Sequence, residues 1–195
     1  YFEASPRWAL DQPYQQSASK GYEADGLLYL KSGSKEQNIL AKQGDDLRID
    51  WGYFYMVAGK ENTAYSVGNS TELRKNFVNG TLNSASLEGE DSNGNMALVR
   101  SYGKVKNVTD KIMLGYDDIY SIQYFGTNLR PYWNSKGDRT IEAEMLAAYN
   151  EYDKLLARCY AFDKKLMEDA SAAGGKEYAE LCAVAYRQSI AAHKL

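Results

Sequence analysis

The sequence contains one histidine, two cysteines and three prolines among 195 residues. A single histidine, His193, excludes a zinc site of the HExxH type and any histidine-rich metal cluster. The chain also lacks a glycine-rich phosphate loop of the GxGxxG or Walker type. We therefore expect neither a metal site nor a cofactor.

Long apolar and basic runs are missing as well. No apolar run approaches the roughly 18–20 residues that a membrane span requires, and no run of Lys or Arg exceeds two residues. The net charge is −3, whereas binding of a phosphate backbone needs a concentrated basic face. These absences predict no membrane span and no nucleic-acid partner. Residues 1–10 also lack the basic start and apolar stretch of a signal peptide.

The two cysteines, Cys159 and Cys182, fall in segments that we predict to be helical. In a helical hairpin that turns near Gly174, they lie about seven residues out of register, which is roughly 10 Å along the helix axis. A disulfide needs Cα atoms within about 7 Å of each other. We therefore expect two free, buried thiols, which do not indicate the cellular compartment.

Tyrosine, in contrast, is abundant, with 17 residues. Its side chain combines a large apolar ring with a polar tip. The excess fits the core of a β-rich protein, in which tyrosine is a favoured residue. It also fits a surface that binds a sugar-like ligand, although packing in a β-rich core is the favoured explanation.

Short β-strands are predicted over the first two thirds of the chain. Apolar residues alternate over 47–57, and both faces become apolar at Phe54, Met56 and Ala58, which predicts a central strand covered on both sides. One helix, 69–80, and one loop, 83–95, interrupt the β pattern. Because no helices are available for parallel crossovers, we expect an antiparallel β-sandwich over residues 1–134. The other predicted strands are 1–4, 22–31, 38–42, 96–105, 111–116 and 119–125.

The last third of the chain follows a helical period. From Ile141 to Leu166 apolar residues recur every 3.6 residues, after an N-cap at Asp138 or Thr140. A break at Gly174 precedes a second amphipathic helix, so residues 135–195 are predicted to form a long αα-hairpin. The fold class is therefore α+β. A lone hairpin leaves its apolar stripes half covered, and we expect it to pack on the sandwich or on further helices, or to self-associate.

Candidate substrate-binding residues lie in the segment that joins the two parts, 115–140. Asp117 and Asp118 fit a turn, or one of them could serve as an acid or base. Arg130, Tyr132 and Trp133 could bind a carboxylate or a sugar; alternatively, Trp133 fills the contact between the domains. The sequence identifies no catalytic residue.

Four segments resemble the glutaminase A family of bacteria and fungi, in particular its Bacteroides-type members. These segments are RIDWGYFYMVAG (48–59), GYDDIYSIQYFGTNLRPYW (115–133), YNEYDKLLARCYAFDKKLMEDA (149–170) and GGKEYAELCAVAYRQSIAAHKL (174–195). The resemblance implies an exported amidohydrolase, periplasmic or secreted, that converts L-glutamine to L-glutamate and ammonia. It also implies a β-rich region followed by a toroid of six helical hairpins. By this resemblance the chain would be a central piece of a longer protein, carrying the later β-region and the first hairpin, and inactive alone.

Two other functions remain open. Six-hairpin toroids behind β-sandwiches also occur in glycoside hydrolases, and a fold does not fix a function. The chain could therefore belong to a carbohydrate-active enzyme, with tyrosines and Trp133 stacking on sugar, or it could be a non-catalytic accessory module. The expected partners are a small-molecule or glycan substrate, the remaining helical hairpins of the parent protein, and a second copy of the chain.

Overall fold

The computed structural model describes residues 1–12, 14–42, 50–82 and 94–192. Strands precede the two C-terminal helices, so the predicted α+β class is confirmed. The strands are β1 (Phe2–Ala4), β2 (Ser17–Ala24), β3 (Leu27–Ser34), β4 (Tyr53–Gly59), β5 (Thr63–Gly68), β6 (Asn95–Arg100), β7 (Met113–Asp117), β8 (Ile122–Tyr124) and β9 (Thr127–Leu129). The α-helices are α1 (Ser70–Val78), α2 (Ile141–Asn150) and α3 (Tyr152–Ala192).

The strands form two antiparallel sheets and a separate hairpin. The first sheet has the order β1-β6-β5, the second has the order β2-β3-β4-β7, and β8 pairs with β9. Strands β2 and β3 are joined by a tight turn at Asp25 and Gly26, whose φ angles are 49° and 78°. The single strand predicted at 22–31 is therefore two strands, because this Asp-Gly pair supplies the positive φ angles that a two-residue hairpin turn needs.

The main apolar core lies between the two sheets. Alternate side chains of β3 and β4 point toward the first sheet, as the two-residue period of a strand requires. Fully burying one large apolar side chain stabilises a fold by about 1.5–3 kcal/mol, so this layer is a principal source of stability. Its large buried members are Leu28, Leu30, Phe54, Met56, Tyr65, Val67, Met96 and Leu98.

The opposite face of the second sheet is covered by α2. Tyr29, Tyr55 and Val57 form a second buried cluster with Leu27 and with Met145 of α2. The molecule therefore has three layers: the first sheet, the second sheet and helix α2. This arrangement confirms that the segment from Phe54 to Ala58 is covered on both sides.

The predicted helix at 69–80 is present as α1. The Asn69 side chain caps it by accepting a hydrogen bond from the backbone N–H of Thr71 at 2.9 Å. The predicted strand at 38–42 is wrong, because this segment turns and Leu40 has a φ of 51°. Residues 43–49 and 83–93, which hold the start of the predicted strand at 47 and most of the predicted loop, lie outside the described residues.

The predicted αα-hairpin is present, but both of its arms belong to α3, and α2 is a separate helix before it. Thr140 caps α2 by accepting a hydrogen bond from Ala143 N at 3.2 Å. The helical run predicted up to Leu166 is interrupted at Glu151, which has non-helical angles (φ −94°, ψ 7°). Helix α3 reverses at Gly175 (φ 83°, ψ −177°) into two arms, 152–174 and 176–192.

The two arms of α3 lie side by side. The rings of Phe162 and Tyr186 have centroids 5.1 Å apart. Cys159 and Cys182 are free, as predicted. The prediction that they are buried is wrong: Cys159 is exposed and Cys182 is half-buried, and Cys159 lines the open groove between the arms. No helix in the described ranges is both long and apolar enough to cross a membrane.

Glu3 ties the short edge strand β1 to its surroundings. Its carboxylate accepts hydrogen bonds from Arg74 Nε of α1 at 2.8 Å and from the Asn95 side chain of β6. Although burial alone raises it, these hydrogen bonds lower the pKa of Glu3 from 4.5 to about 2. Ionised Glu3 therefore stabilises the fold fully above pH 4.5, and this contribution is lost as the pH falls toward 2.

We expect Glu3→Gln to lower the free energy of unfolding by about 1–2 kcal/mol at pH 7, after allowance for solvent screening. The difference in the free energy of unfolding between this variant and the unmutated protein should shrink steadily between pH 5 and pH 2. Urea unfolding followed by circular dichroism at several pH values measures the loss at pH 7 and its change with pH. Glu23→Gln is the control, because Glu23 pairs with Lys60 on the surface and its loss should cost less than about 1 kcal/mol. A pH-independent effect of Glu3→Gln would contradict the prediction.

Candidate functional site

Asp117 and Asp118 lie in a turn at the end of β7. Asp117 Oδ1 accepts a hydrogen bond from Ile119 N at 3.0 Å, and Ile119 has a positive φ of 59°. Asp118 is buried, and its Oδ2 accepts a hydrogen bond from Ser121 Oγ at 2.8 Å. Both carboxylates therefore stabilise the turn, and a role for either in substrate binding stays a prediction.

The side chain of Trp51 holds this turn in place through hydrogen bonds. The side chain is buried, and Nε1 donates to Asp118 O at 2.8 Å and to Tyr120 O at 3.0 Å. Tyr116 Oη donates a hydrogen bond to Trp51 O. Burial, together with the nearby Asp118 carboxylate, raises the pKa of Tyr116, so the hydroxyl stays protonated and keeps donating. The backbone of Trp51 is thus tied to β7 and to the turn.

Of the other three candidates, Tyr132 and Trp133 line the same cavity, whereas Arg130 does not. The Arg130 guanidinium lies 5.1 Å from the centre of the Tyr120 ring. Tyr132 is 82% exposed and Trp133 is half-buried. Tyr132 and Trp133 line a cavity of about 250 Å³, which Arg130, Asp117 and Asp118 do not line. The remaining lining residues are Ser135, Lys136, Asp138 and Arg139.

A lysine among aromatic rings was not identified from the sequence. Lys31 Nζ of β3 lies 3.6 Å from the centre of the Tyr53 ring and 5.5 Å from that of Tyr55. Burial, and then the positive charge of Lys20, lower the pKa of Lys31. Lys31 comes next to these rings because it pairs with Tyr55 across β3 and β4. The sequence does not reveal this register, so it does not reveal the contact.

Helix α2 joins this aromatic face through Glu142. Tyr22 Oη donates to Glu142 Oε1 at 2.6 Å, and Tyr29 Oη donates to Glu142 O at 3.2 Å. Burial and the hydrogen bond to Glu142 raise the pKa of Tyr22. The rings of Tyr22 and Tyr29 are stacked, with centroids 5.2 Å apart. The tyrosines of this face therefore hold α2 against the sheet.

Asp50 is the most deeply buried carboxylate in the described part of the chain, with 1% of its surface exposed. Its Oδ2 lies 3.0 Å from Lys42 Nζ and 3.1 Å from Gln15 Nε2. The lysine compensates the buried charge. Among the described residues, no three His, Cys, Asp or Glu side chains come together as possible metal ligands.

The α3 hairpin also carries an apolar surface. A groove between its arms encloses about 830 Å³. Within the described ranges, Arg158, Asp163 and Arg187 at this groove form no ion pair. The apolar side chains that line it include Leu155, Phe162, Leu166, Tyr186 and Ile190.

Two antiparallel sheets, a covering helix and a protruding helical hairpin define an α+β protein with a small polar cavity and a large apolar groove. A family model described as a domain of unknown function (DUF5127) matches residues 1–169. Because this match covers most of the chain, the protein belongs to the DUF5127 family. Searches of the curated proteins and of the solved structures gave no match.

Proposed function

We propose that this chain is a non-catalytic β-sandwich domain whose α3 hairpin docks onto further helices of an exported hydrolase. The proposed parent, periplasmic or secreted, is similar to glutaminase A and releases ammonia from L-glutamine. The observation that carries the docking role is the apolar groove between the arms of α3. The resemblance of the four sequence segments supports the reaction.

The exposure of the groove supports a docking role. Phe162 and Tyr186 are each 46% exposed, and Ile190 is 49% exposed. Contiguous apolar surface of this kind marks an interaction site. Amphipathic helices pack by placing such stripes against one another, so helices with a matching apolar stripe are the partners that fit the groove best.

The charges beside the groove fit the same role. Arg158, Asp163 and Arg187 have no ion-pair partner within the described part of the chain. Protein interfaces combine an apolar centre with a polar rim. A docking helix that places acidic groups near the two arginines and a basic group near Asp163 would pair all three.

The described residues also favour a non-catalytic role for this domain. Amide hydrolysis requires an activated nucleophile or water and donors for the developing oxyanion. Asp117 and Asp118 are engaged in their turn, Asp50 is paired with Lys42, and Lys31 contacts two tyrosine rings. We therefore propose that the catalytic groups are supplied by the helices that dock.

The reaction is tested by measuring ammonia release from L-glutamine by this chain and by the complete gene product, in parallel with a panel of glycosides. Ammonia release by the complete product alone supports the proposal. Activity of the isolated chain would overturn its non-catalytic role. Sugar release in place of ammonia would favour the second candidate, a glycoside hydrolase, for which the aromatic wall of the cavity at Tyr132 and Trp133 is the supporting observation.

The isolated chain is expected to self-associate through the groove at high concentration, because apolar surface that lacks a partner drives association. Light scattering as a function of concentration measures the mass. The variant Phe162→Lys should shift the protein toward the monomer, since it places a charge in the groove. Tyr160→Lys is the matched control on the same arm, because Tyr160 is exposed but does not line the groove. If the unmutated chain stays monomeric at high concentration, the expectation is wrong.

A further inference from the structure

We infer that the cavity lined by Tyr132, Trp133, Ser135, Lys136, Asp138 and Arg139 is a binding site for one neutral sugar unit of a glycan. This inference is independent of the reaction proposed above. It rests on the shape of the loop, on three polar side chains that have no partner, and on one exposed aromatic ring.

The loop around the cavity is held in shape by its own hydrogen bonds. Residues Tyr132–Asn134 form a 3₁₀ turn, and the buried Asn134 Oδ1 accepts a hydrogen bond from Arg139 N at 3.0 Å. Gly137 N donates to Asn134 O at 2.9 Å, and Gly137 has the positive φ of 72° that suits glycine. A ligand would therefore meet a formed site and lose little affinity to ordering of the loop.

The polar groups of the cavity are available to a ligand. Within the described part of the chain, the side chains of Ser135, Lys136 and Asp138 form no hydrogen bond or ion pair. A hydroxyl, an ammonium and a carboxylate together offer both donors and acceptors. This combination suits the hydroxyl groups of a sugar, each of which can donate and accept.

The charge balance favours a neutral ligand over an anion. Arg139 Nη1 already pairs with Glu144 Oε1 at 3.1 Å. The positive charge of Lys136 and the negative charge of Asp138 offset each other. An anion would gain from Lys136 but would face the Asp138 carboxylate, whereas a neutral polyhydroxylated ligand can use both groups.

The aromatic wall supplies the apolar part of the site. The Tyr132 ring is 82% exposed, so its face is accessible to a ligand, and aromatic rings combine a large apolar surface with a polar tip. One face of a pyranose ring is lined by C–H groups and packs well on such a surface. At about 250 Å³ the cavity lies just below the usual range of ligand pockets, roughly 300–1,000 Å³, so it is sized for a single sugar unit.

The experiment titrates the purified chain with the methyl glycosides of glucose, mannose and galactose. Binding is followed by saturation-transfer NMR and by tryptophan fluorescence, since Trp133 lines the cavity. At the ordinary efficiency of small ligands, we expect at least one glycoside to bind with a Kd of about 1 mM. Tyr132→Ala and Asp138→Ala should each weaken binding about tenfold or more. Tyr124→Ala should leave it unchanged, because Tyr124 is exposed but lies on the β8–β9 hairpin outside the cavity.

Both test residues are exposed, so the variants should fold, and circular dichroism verifies this. Two results would overturn the inference. The first is that none of the three glycosides binds, whether or not L-glutamine or inorganic phosphate binds in their place. The second is that glycoside binding persists undiminished in both variants.

Discussion

Replacing Gly52 by alanine is expected to lower the free energy of unfolding by about 3–5 kcal/mol. Gly52 has a φ of 76°, which strains any residue that carries a Cβ atom. A Cβ atom at this position would also lie 2.3 Å from Asp117 O and 2.8 Å from Asp118 Cα. Both are backbone atoms, so relief of the clash requires movement of the turn after β7.

The matched control is Gly26→Ala. Gly26 has almost the same φ, 78°, but a Cβ atom there would meet nothing within 4 Å. The control therefore contains the conformational strain without the clash and should cost about 1–2 kcal/mol. Thermal unfolding separates the two, since a loss of 3–5 kcal/mol corresponds to a fall in Tm of about 6–20 °C for a chain of this size, against about 2–8 °C for the control. Equal losses in the two variants would show that the contact of Gly52 with the turn is not tight.

The second large effect is expected at Trp51. Trp51→Ala should cost about 3–5 kcal/mol, because it removes a buried indole and leaves a cavity under the turn. Trp51→Phe should cost about 1–3 kcal/mol, because it keeps a ring but removes the donor to Asp118 O and Tyr120 O. The difference between the two variants separates packing from hydrogen bonding.

Urea unfolding of both Trp51 variants tests this prediction. Trp8→Ala serves as the control, because Trp8 is 66% exposed and its ring lies 5.4 Å from that of Phe54. Its loss should cost about 1 kcal/mol or less. If Trp8→Ala were as damaging as Trp51→Ala, the turn would not depend on the buried indole as we expect.

Local sequence signals were sufficient where the structure depends on near neighbours along the chain. The alternation in β4 correctly predicted a strand covered on both faces, because the side-chain period of a strand is fixed. Asn69 and Thr140 cap their helices, as their short polar side chains favour. The reversal of α3 at Gly175 follows from the positive φ that glycine tolerates.

Other features depended on signals that are weaker or were overlooked. The Asp25-Gly26 pair is a standard hairpin turn, yet the apolar run around it suggested one strand. The break at Glu151 has no glycine or proline to announce it. At 38–42 the apolar residues suggested a strand, but Leu40 adopts a left-handed conformation that no residue pattern there indicates.

The candidate sites were harder to predict, because they combine distant parts of the chain. Lys31 meets Tyr53 only through the pairing of β3 with β4, and Tyr22 meets Glu142 across 120 positions. The cavity at 132–139 is local, and Tyr132 and Trp133 were identified from the sequence. Its polar members were not, because nothing in the sequence shows that Lys136 and Asp138 lack partners.

The short joint between α2 and α3 has a mechanical consequence. Only Glu151 separates the two helices, and Lys111 Nζ pins the joint by donating to Tyr149 O at 2.6 Å. Since Met145 anchors α2 in the core, the arms of α3 are connected to the second sheet through one short joint. Arms held in this way have less conformational freedom to lose when a partner binds them than a flexible tail would have.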